Sequence, residues 1–131
     1  MGFNQPKIKQ EIKKFSHFLT VLCDEEIDIS DRYNRAFNGD LKIKGVSDAL
    51  ISKVLTIHNP NFYFVKNKKT KNALKKYGLE LPRGLSEGEK YKIMCKFLKE
   101  ICTESGIENF AVLDEYLFRI GDDTRNEKHF I

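Results

Sequence analysis

Apolar residues at the start of the chain recur at the spacing of a helix. They step by four, three, four and three residues, which draws one stripe on a helical face: Ile8, Ile12, Phe15, Leu19 and Leu22. Proline fits the first turn of a helix, so we expect this helix to run from Pro6 to about Cys23. The acidic stretch 24–29 that follows predicts a loop.

Capping residues predict two further helices in the next part of the chain. Ser30 can cap a short helix that ends at Gly39. Ser47 or Asp48 can begin the next helix, and the Asn-Pro pair at 59–60 stops it. The positions expected to face inward are Tyr33 and Phe37 on the first of these helices, and Leu50, Ile51, Val54, Leu55 and His58 on the second.

The middle of the chain predicts a buried connection followed by a lysine-rich helix. Residues 62–65 read Phe-Tyr-Phe-Val, which is strand composition without a partner strand, so we expect an extended, buried linker. Asn67 is the expected cap of a helix through Tyr77, and Gly78 stops it. The inward residues of this helix are expected to be Ala73, Leu74 and Tyr77.

A capping box opens the clearest helix. Ser86 and Glu89 are three residues apart, so hydroxyl and carboxylate can each satisfy an orphan amide at the helix start. This helix is expected to end near Gly106 and to bury Tyr91, Met94, Cys95, Leu98, Ile101 and Cys102. Asn109 can cap a sixth helix over 110–120. Six helices without a credible sheet predict an all-α protein, a compact bundle of about six helices.

Length and composition fit one folded domain. The chain has 131 residues, 40% of them hydrophobic, and a second core would leave each half too small. We expect a single helical domain over 1–131, with N-terminal helices in 1–44, a helical core in 45–121 and a polar tail in 122–131. No run approaches the ~18 consecutive apolar residues of a bilayer span, so no membrane partner is expected. Three cysteines without metal spacing predict reduced thiols and a cytoplasmic protein.

The positive charge of the chain is concentrated in one window. The formal net charge is +4, but residues 49–79 contain seven lysines and no acidic residue, so the rest of the chain sums to −3. A basic block on a slightly acidic body is typical of a surface that binds a polyanion, because lysines near phosphates release condensed counterions. Lysines that only solvate a helix are the alternative interpretation.

The residue types that usually bind metals or catalyse reactions do not occur here at the spacings that those functions require. Cys95 and Cys102 are seven residues apart, whereas structural zinc ligands pair at spacings of about two to four, so we expect core thiols and no metal or cofactor. His17 is expected on the polar side of the first helix. No nucleophile elbow or phosphate-binding glycine loop occurs, and the acidic pairs are adjacent in sequence, which points their side chains apart. We therefore expect no enzymatic activity.

Residues 42–55 have the order of features of a helix-hairpin-helix tip. Gly45 allows a tight turn, and the amides that open the following helix would point outward, where the helix dipole favours a phosphate. An ordinary capped helix after a glycine turn is the alternative. Asp48 argues against a phosphate site, because its carboxylate would itself occupy the helix start.

From Gly45 to Gly78 the chain resembles the helix-hairpin-helix DNA glycosylases of the endonuclease III type: a hairpin, an apolar helix, a connection, and a helix ending in Leu-x-x-x-Gly. Asn67 falls where that family carries its catalytic Asp, and Ala49 about where the lyase members carry their Schiff-base Lys. An amide and a methyl group cannot perform those roles. The four-cysteine iron–sulfur loop of the family is also missing. The resemblance implies a DNA-binding scaffold without the glycosylase reaction.

A second resemblance covers roughly residues 45 to 120. The segments 51–60, 71–78, 88–91 and 113–118 are similar to a helical module found near the GTPase or ATPase subunits of modified-cytosine restriction systems. This resemblance implies a non-catalytic module beside DNA-reading and motor domains, with a restriction or motor subunit as a partner.

These features together predict a small, non-catalytic helical module that grips the sugar-phosphate backbone of DNA with weak sequence preference. The residues expected to contact nucleic acid are Lys44, Gly45, Ser47, Lys53, Lys66, Asn67, Lys68, Lys69, Lys71 and Lys75. Two alternatives stay open. One is a module that binds an acidic protein partner through the same basic face, and the other is an atypical DNA glycosylase.

Overall fold

The computed structural model describes residues 5–106. Within that range the chain forms helices and no strand: α1 (Gln5–Leu22), α2 (Ile29–Asn38), α3 (Asp48–His58), α4 (Lys68–Lys76) and α5 (Glu87–Ser105). The predicted all-α class is confirmed. The sixth helix predicted over 110–120 and the tail 122–131 lie outside the described residues.

Side-chain caps begin four of these helices, and three of the four caps are the predicted ones. Ser47, Asn67 and Ser86 each accept a hydrogen bond from an amide in the first turn of the helix that follows, and the capping box at the start of α5 is complete. The prediction that Ser30 caps α2 is wrong. Asp28 accepts from the amide of Ser30 instead, because a carboxylate at this position interacts favourably with the positive end of the helix dipole.

The core is built around α5, which packs mainly on α2. The ring of Tyr91 on α5 stacks on Tyr33 of α2 with centroids 4.6 Å apart, and on Phe64 of the linker with centroids 5.2 Å apart. The Tyr91 hydroxyl donates to the Phe64 carbonyl at 2.8 Å, so the aromatic cluster also ties down the linker backbone. The predicted inner face of α5 is confirmed at Tyr91, Met94, Cys95, Leu98 and Cys102, while Ile101 is partly buried against the core.

Several residues predicted to face inward lie on the surface. Leu50, His58 and Tyr77 are exposed, and so is Phe62 at the start of the linker that was expected to be buried. Short helices bury a narrow face here: α3 contributes Ile51, Ser52 and Leu55 to the interior, and α4 contributes Thr70, Ala73 and Leu74. Residues at the margin of these faces or beyond the last turn therefore reach solvent.

The stripe of α1 is buried only in its second half. Phe18 and Leu22 are in the core, and Leu19 packs against it. Every residue from 6 to 17 is exposed, which includes His17 on the polar side as predicted. The first turns of α1 thus lie outside the core of the described protein.

Candidate nucleic-acid interface

Helix α4 presents most of its lysines to solvent. It contains no acidic residue, and its interior face consists of Thr70, Ala73 and Leu74. Lys68, Lys71 and Lys75 are exposed, since positions three and four apart share one helical face. Lys69 is only partly exposed. The basic surface predicted for 66–76 is therefore carried by the helix itself, from residue 68 onward.

An open groove of about 930 Å³ lies between α4, the 78–84 turn and the first turns of α5. Its cationic lining residues are Lys66, Lys71, Lys75, Arg83 and Lys90, its acidic ones are Glu80 and Glu87, and its apolar floor includes Leu74, Leu79, Leu81 and Met94. Lys71, Lys75 and Arg83 have no hydrogen-bond or ion-pair partner within the described range. The groove thus combines unpaired positive charge with an apolar base.

Arg83 and Lys90 are members of the groove that the sequence analysis missed. Both lie outside the acid-free window 49–79, among the acidic residues that surround the start of α5. Lys90 donates to Glu87 at 3.1 Å, which is the contact that its spacing of three residues on a helix would predict. The turn before α5 contributes Arg83 and the first turn of α5 contributes Lys90 to the groove that α4 also lines.

Lys66 is not on the basic surface, and its predicted role as a phosphate contact requires correction. Its side chain is 1% exposed, and Nζ lies 2.7 Å from Glu87 Oε2 and 3.2 Å from Asp48 Oδ2. The ammonium also lies over the ring of Tyr33, 5.2 Å from its centroid. A charge buried this deeply needs compensation, and two carboxylates supply it. The Lys66 ammonium is therefore neutralised by these two carboxylates inside the protein, so it is not available to a phosphate.

The starts of three helices meet at this lysine. Asp48 is the first residue of α3, Glu87 the first of α5, and Lys66 precedes α4 by two positions. The Lys66 ammonium holds the pKa of Glu87 below its ordinary value of 4.5. Burial, reinforced by the Asp48 carboxylate, raises the pKa of Tyr33, so that its hydroxyl stays protonated and donates to Asp48. The cluster thus joins the first residues of α3 and α5 to the residue that lies two positions before α4.

The turn before α3 is exposed where the sequence predicted a hairpin tip. Lys44, Gly45 and Ser47 all reach solvent, and Gly45 has φ +90°, a conformation that favours glycine. Ser47 caps α3 through its hydroxyl. Lys53, one turn further along α3, is exposed. The Asp48–Lys66 contact joins this end of α3 to the beginning of α4.

Asn67 acts as a helix cap. Its Oδ1 accepts from the amide of Thr70 at 2.8 Å and from the Thr70 hydroxyl at 2.9 Å, and the side chain is partly buried. The side-chain oxygen of Asn67 thus accepts both of these hydrogen bonds at the start of α4. Ala49, the other position compared with the glycosylases, is an exposed residue in the first turn of α3.

A second buried cation was not predicted from the sequence. Arg32 donates to the carbonyl oxygens of Leu22 and Ile27, both at 2.8 Å, and to Glu25 and Tyr63 at 3.0 and 2.9 Å. These bonds tie the end of α1 and the following loop to the linker. The one feature of the sequence that could have indicated the burial of Arg32 is its position, because it is next to the inward-facing Tyr33 on a short helix.

Cys95 is one of three free cysteines among the described residues. Burial raises the pKa of Cys95 to about 12, which keeps this thiol protonated and unreactive at neutral pH. Cys95 and Cys102 are core residues, as predicted. No group of three or more His, Cys, Asp and Glu residues in the described range could hold a metal ion. Among the same residues, no helix is both long and apolar enough to cross a bilayer.

Acid titration tests the contact between Lys66 and Glu87. Since the folded-state pKa of Glu87 is lowered, its ionisation stabilises the fold above pH 4.5, and this contribution is lost as the pH falls through the folded-state pKa. We expect Glu87→Gln to lower the free energy of unfolding at neutral pH, and the difference from the parent protein to shrink in acid. Urea unfolding at a series of pH values measures this. A pH-independent difference would contradict the assignment.

Comparisons of the chain with protein-family models, with curated proteins and with solved structures find no match.

Proposed function

We propose that this protein is a non-catalytic DNA-binding module that holds the sugar-phosphate backbone in the groove between α4 and α5. The observation that carries the proposal is the convergence of Lys71, Lys75 and Arg83 on one open groove without any acidic partner. Of the two acidic residues that line the groove, Glu87 is already paired with Lys66 and Lys90. The groove therefore retains positive charge that a phosphate can neutralise.

Exposed lysines next to the groove extend the same surface. Lys68 lies three residues before Lys71 on α4 and is exposed. Contacts between lysines and phosphates depend on the charge and spacing of the phosphates and do not involve base edges. We therefore expect weak sequence preference. From the sequence resemblance alone, we further propose that this module holds DNA while a restriction or motor subunit acts on it.

The turn before α3 is the second contact in this proposal, as the tip of a helix-hairpin-helix element. Asp48 would repel a phosphate there if its carboxylate faced the helix start. Instead it pairs with Lys66 and accepts from the Tyr33 hydroxyl, so its charge is compensated inside the protein. This leaves Lys44 and the turn at Gly45 compatible with an approaching phosphate, although the Ser47 hydroxyl already accepts from the Leu50 amide of α3.

Salt-dependent DNA binding tests the proposal. We expect the full chain to bind a short duplex, with an affinity that falls steeply as salt rises. Lys71→Gln combined with Lys75→Gln should weaken binding and reduce the slope of log affinity against log salt by about 2, because each lost phosphate contact removes ~0.9. Fluorescence anisotropy of labelled DNA at several salt concentrations measures both effects.

The matched control changes the same charge elsewhere. Lys7→Gln combined with Lys9→Gln also removes two exposed lysines, but from α1, and should leave affinity and slope nearly unchanged. Equal losses in both double variants would contradict a defined site and indicate general attraction to a basic protein. Absent or salt-insensitive DNA binding would favour a protein-interaction module. Release of a base that Asn67→Ala abolishes would indicate a glycosylase.

A further inference from the structure

The first half of α1 carries an apolar row that the described part of the chain leaves uncovered. Ile8, Ile12 and Phe15 are 42%, 62% and 42% exposed. The row continues into the core, because the ring of Phe15 stacks on that of buried Phe18 with centroids 5.9 Å apart. Scattered surface hydrophobics need no explanation, but large apolar side chains aligned on one exposed face mark an interaction site.

The apolar row forms one wall of a groove, and Ile43 from another part of the chain also lines that groove. Ile43, from the connection between α2 and α3, and Leu19 line the same open groove of about 610 Å³ as the exposed residues of α1. An amphipathic helix can lay its apolar face into such a groove. A helix that binds a bilayer instead presents a broad apolar face of its own. The shape therefore favours a partner helix over a membrane surface.

Lysines flank the apolar row on both sides. At about 100° per residue, Lys7 and Lys14 fall on one side of the row, together with the acidic Glu11, and Lys9 and Lys13 fall on the other, so four lysines face one carboxylate. None of these four has a hydrogen-bond or ion-pair partner in the described part of the chain. In paired helices, the positions beside the apolar seam carry charges opposite to those of the partner. The net positive charge beside the row thus favours a helix that carries mainly carboxylates next to its seam.

We infer that the first half of α1 is the docking site for an acidic amphipathic helix of a partner protein. Its apolar residues pack on Ile8, Ile12 and Phe15, and its carboxylates pair with the flanking lysines. The docking site lies on a different element from the α4–α5 groove, and it does not depend on DNA binding. Both contacts can therefore be tested separately on the full chain.

A designed peptide provides the test. The probe is a labelled three-heptad helix with Leu at the seam positions and Glu at the flanking positions. We expect it to bind the full chain at least about tenfold more tightly than the same peptide with Lys at the flanks. Ile12→Gln, and separately Lys9→Glu combined with Lys14→Glu, should each weaken binding at least about tenfold. Gln10→Ala, on the opposite face of α1, should leave it unchanged.

Four results would overturn the inference. These are no binding of the acidic peptide, equal binding of both peptides, stronger binding to phosphatidylglycerol vesicles than to the peptide, and a dimer of the chain that Ile12→Gln dissociates in sedimentation. Because Ile12 is largely exposed, the variant should keep the helix content and unfolding midpoint of the parent protein. Circular dichroism checks this, so that lost binding is attributable to the surface.

Discussion

Lys66→Met is expected to destabilise the protein by about 3–5 kcal/mol, although it replaces a charged side chain in the interior by an apolar one of similar length. The ammonium is the shared partner of Asp48 and Glu87, which begin α3 and α5. Without it, two carboxylates remain close together in a partly desolvated site, and the contact that joins three helix starts is lost. Urea unfolding monitored by circular dichroism measures the change.

Two comparisons isolate the cause. Lys71→Met makes the same substitution at an exposed lysine of the groove and should change the free energy of unfolding by less than about 0.5 kcal/mol, while weakening DNA binding. Adding Glu87→Gln to Lys66→Met should recover part of the stability, because it removes one of the two carboxylates that have lost the Lys66 ammonium. Equal stability of the two lysine variants would show that the buried cluster contributes nothing.

The positions of the helices could be predicted because their signals are local. Ser47, Asn67 and Ser86 cap helices through groups no more than three residues away, and such contacts follow directly from spacing along the chain. The exposure of the α4 lysines follows in the same way from helical periodicity. Asp28 was missed as a cap because Ser30, two residues later, has an equally suitable side chain for that role.

The candidate site was only partly predictable, since charge in a sequence window does not reveal long-range partners. Lys66 and Lys68 look equivalent in the sequence, yet Lys66 meets Glu87, 21 residues away, and Lys68 reaches solvent. Arg83 joins the groove because the turn before α5 folds back beside α4. Periodicity likewise identified the apolar stripe of α1, but it carries no information on which half of a stripe finds a neighbour.

Gly88→Ala is expected to destabilise the protein by about 3 kcal/mol or more, whereas intrinsic helix propensity favours Ala over Gly by up to about 1 kcal/mol. The two effects have opposite signs, so the measurement is decisive. A Cβ at this buried position would overlap the Ser30 carbonyl oxygen and lie 2.8 Å from Asn34 Oδ1. The obstructing Ser30 oxygen belongs to the backbone of α2, so no side-chain rotation relieves the overlap.

The backbone amide of Gly88 also forms a hydrogen bond that links α5 to α2. The Gly88 amide donates to Asn34 Oδ1 at 2.7 Å, and the amide nitrogen of Asn34 donates to the Ser86 hydroxyl at 3.0 Å. Any shift of α5 that accommodates a methyl group therefore strains the capping box and the stacked tyrosines behind it. This close approach of α2 and α5 also sets where the first turns of α5 present Glu87 and Lys90 to the groove.

Gly84→Ala provides the control for this prediction. Gly84 has φ +82° but open space around it, so its substitution should cost only the ~1 kcal/mol of a left-handed backbone conformation. Chemical unfolding of both variants should therefore rank Gly88→Ala as the more destabilised by about 2 kcal/mol. If Gly88→Ala were neutral or stabilising, α2 and α5 could not approach as closely as Gly88 indicates, and the geometry of the groove beside them would have to be revised.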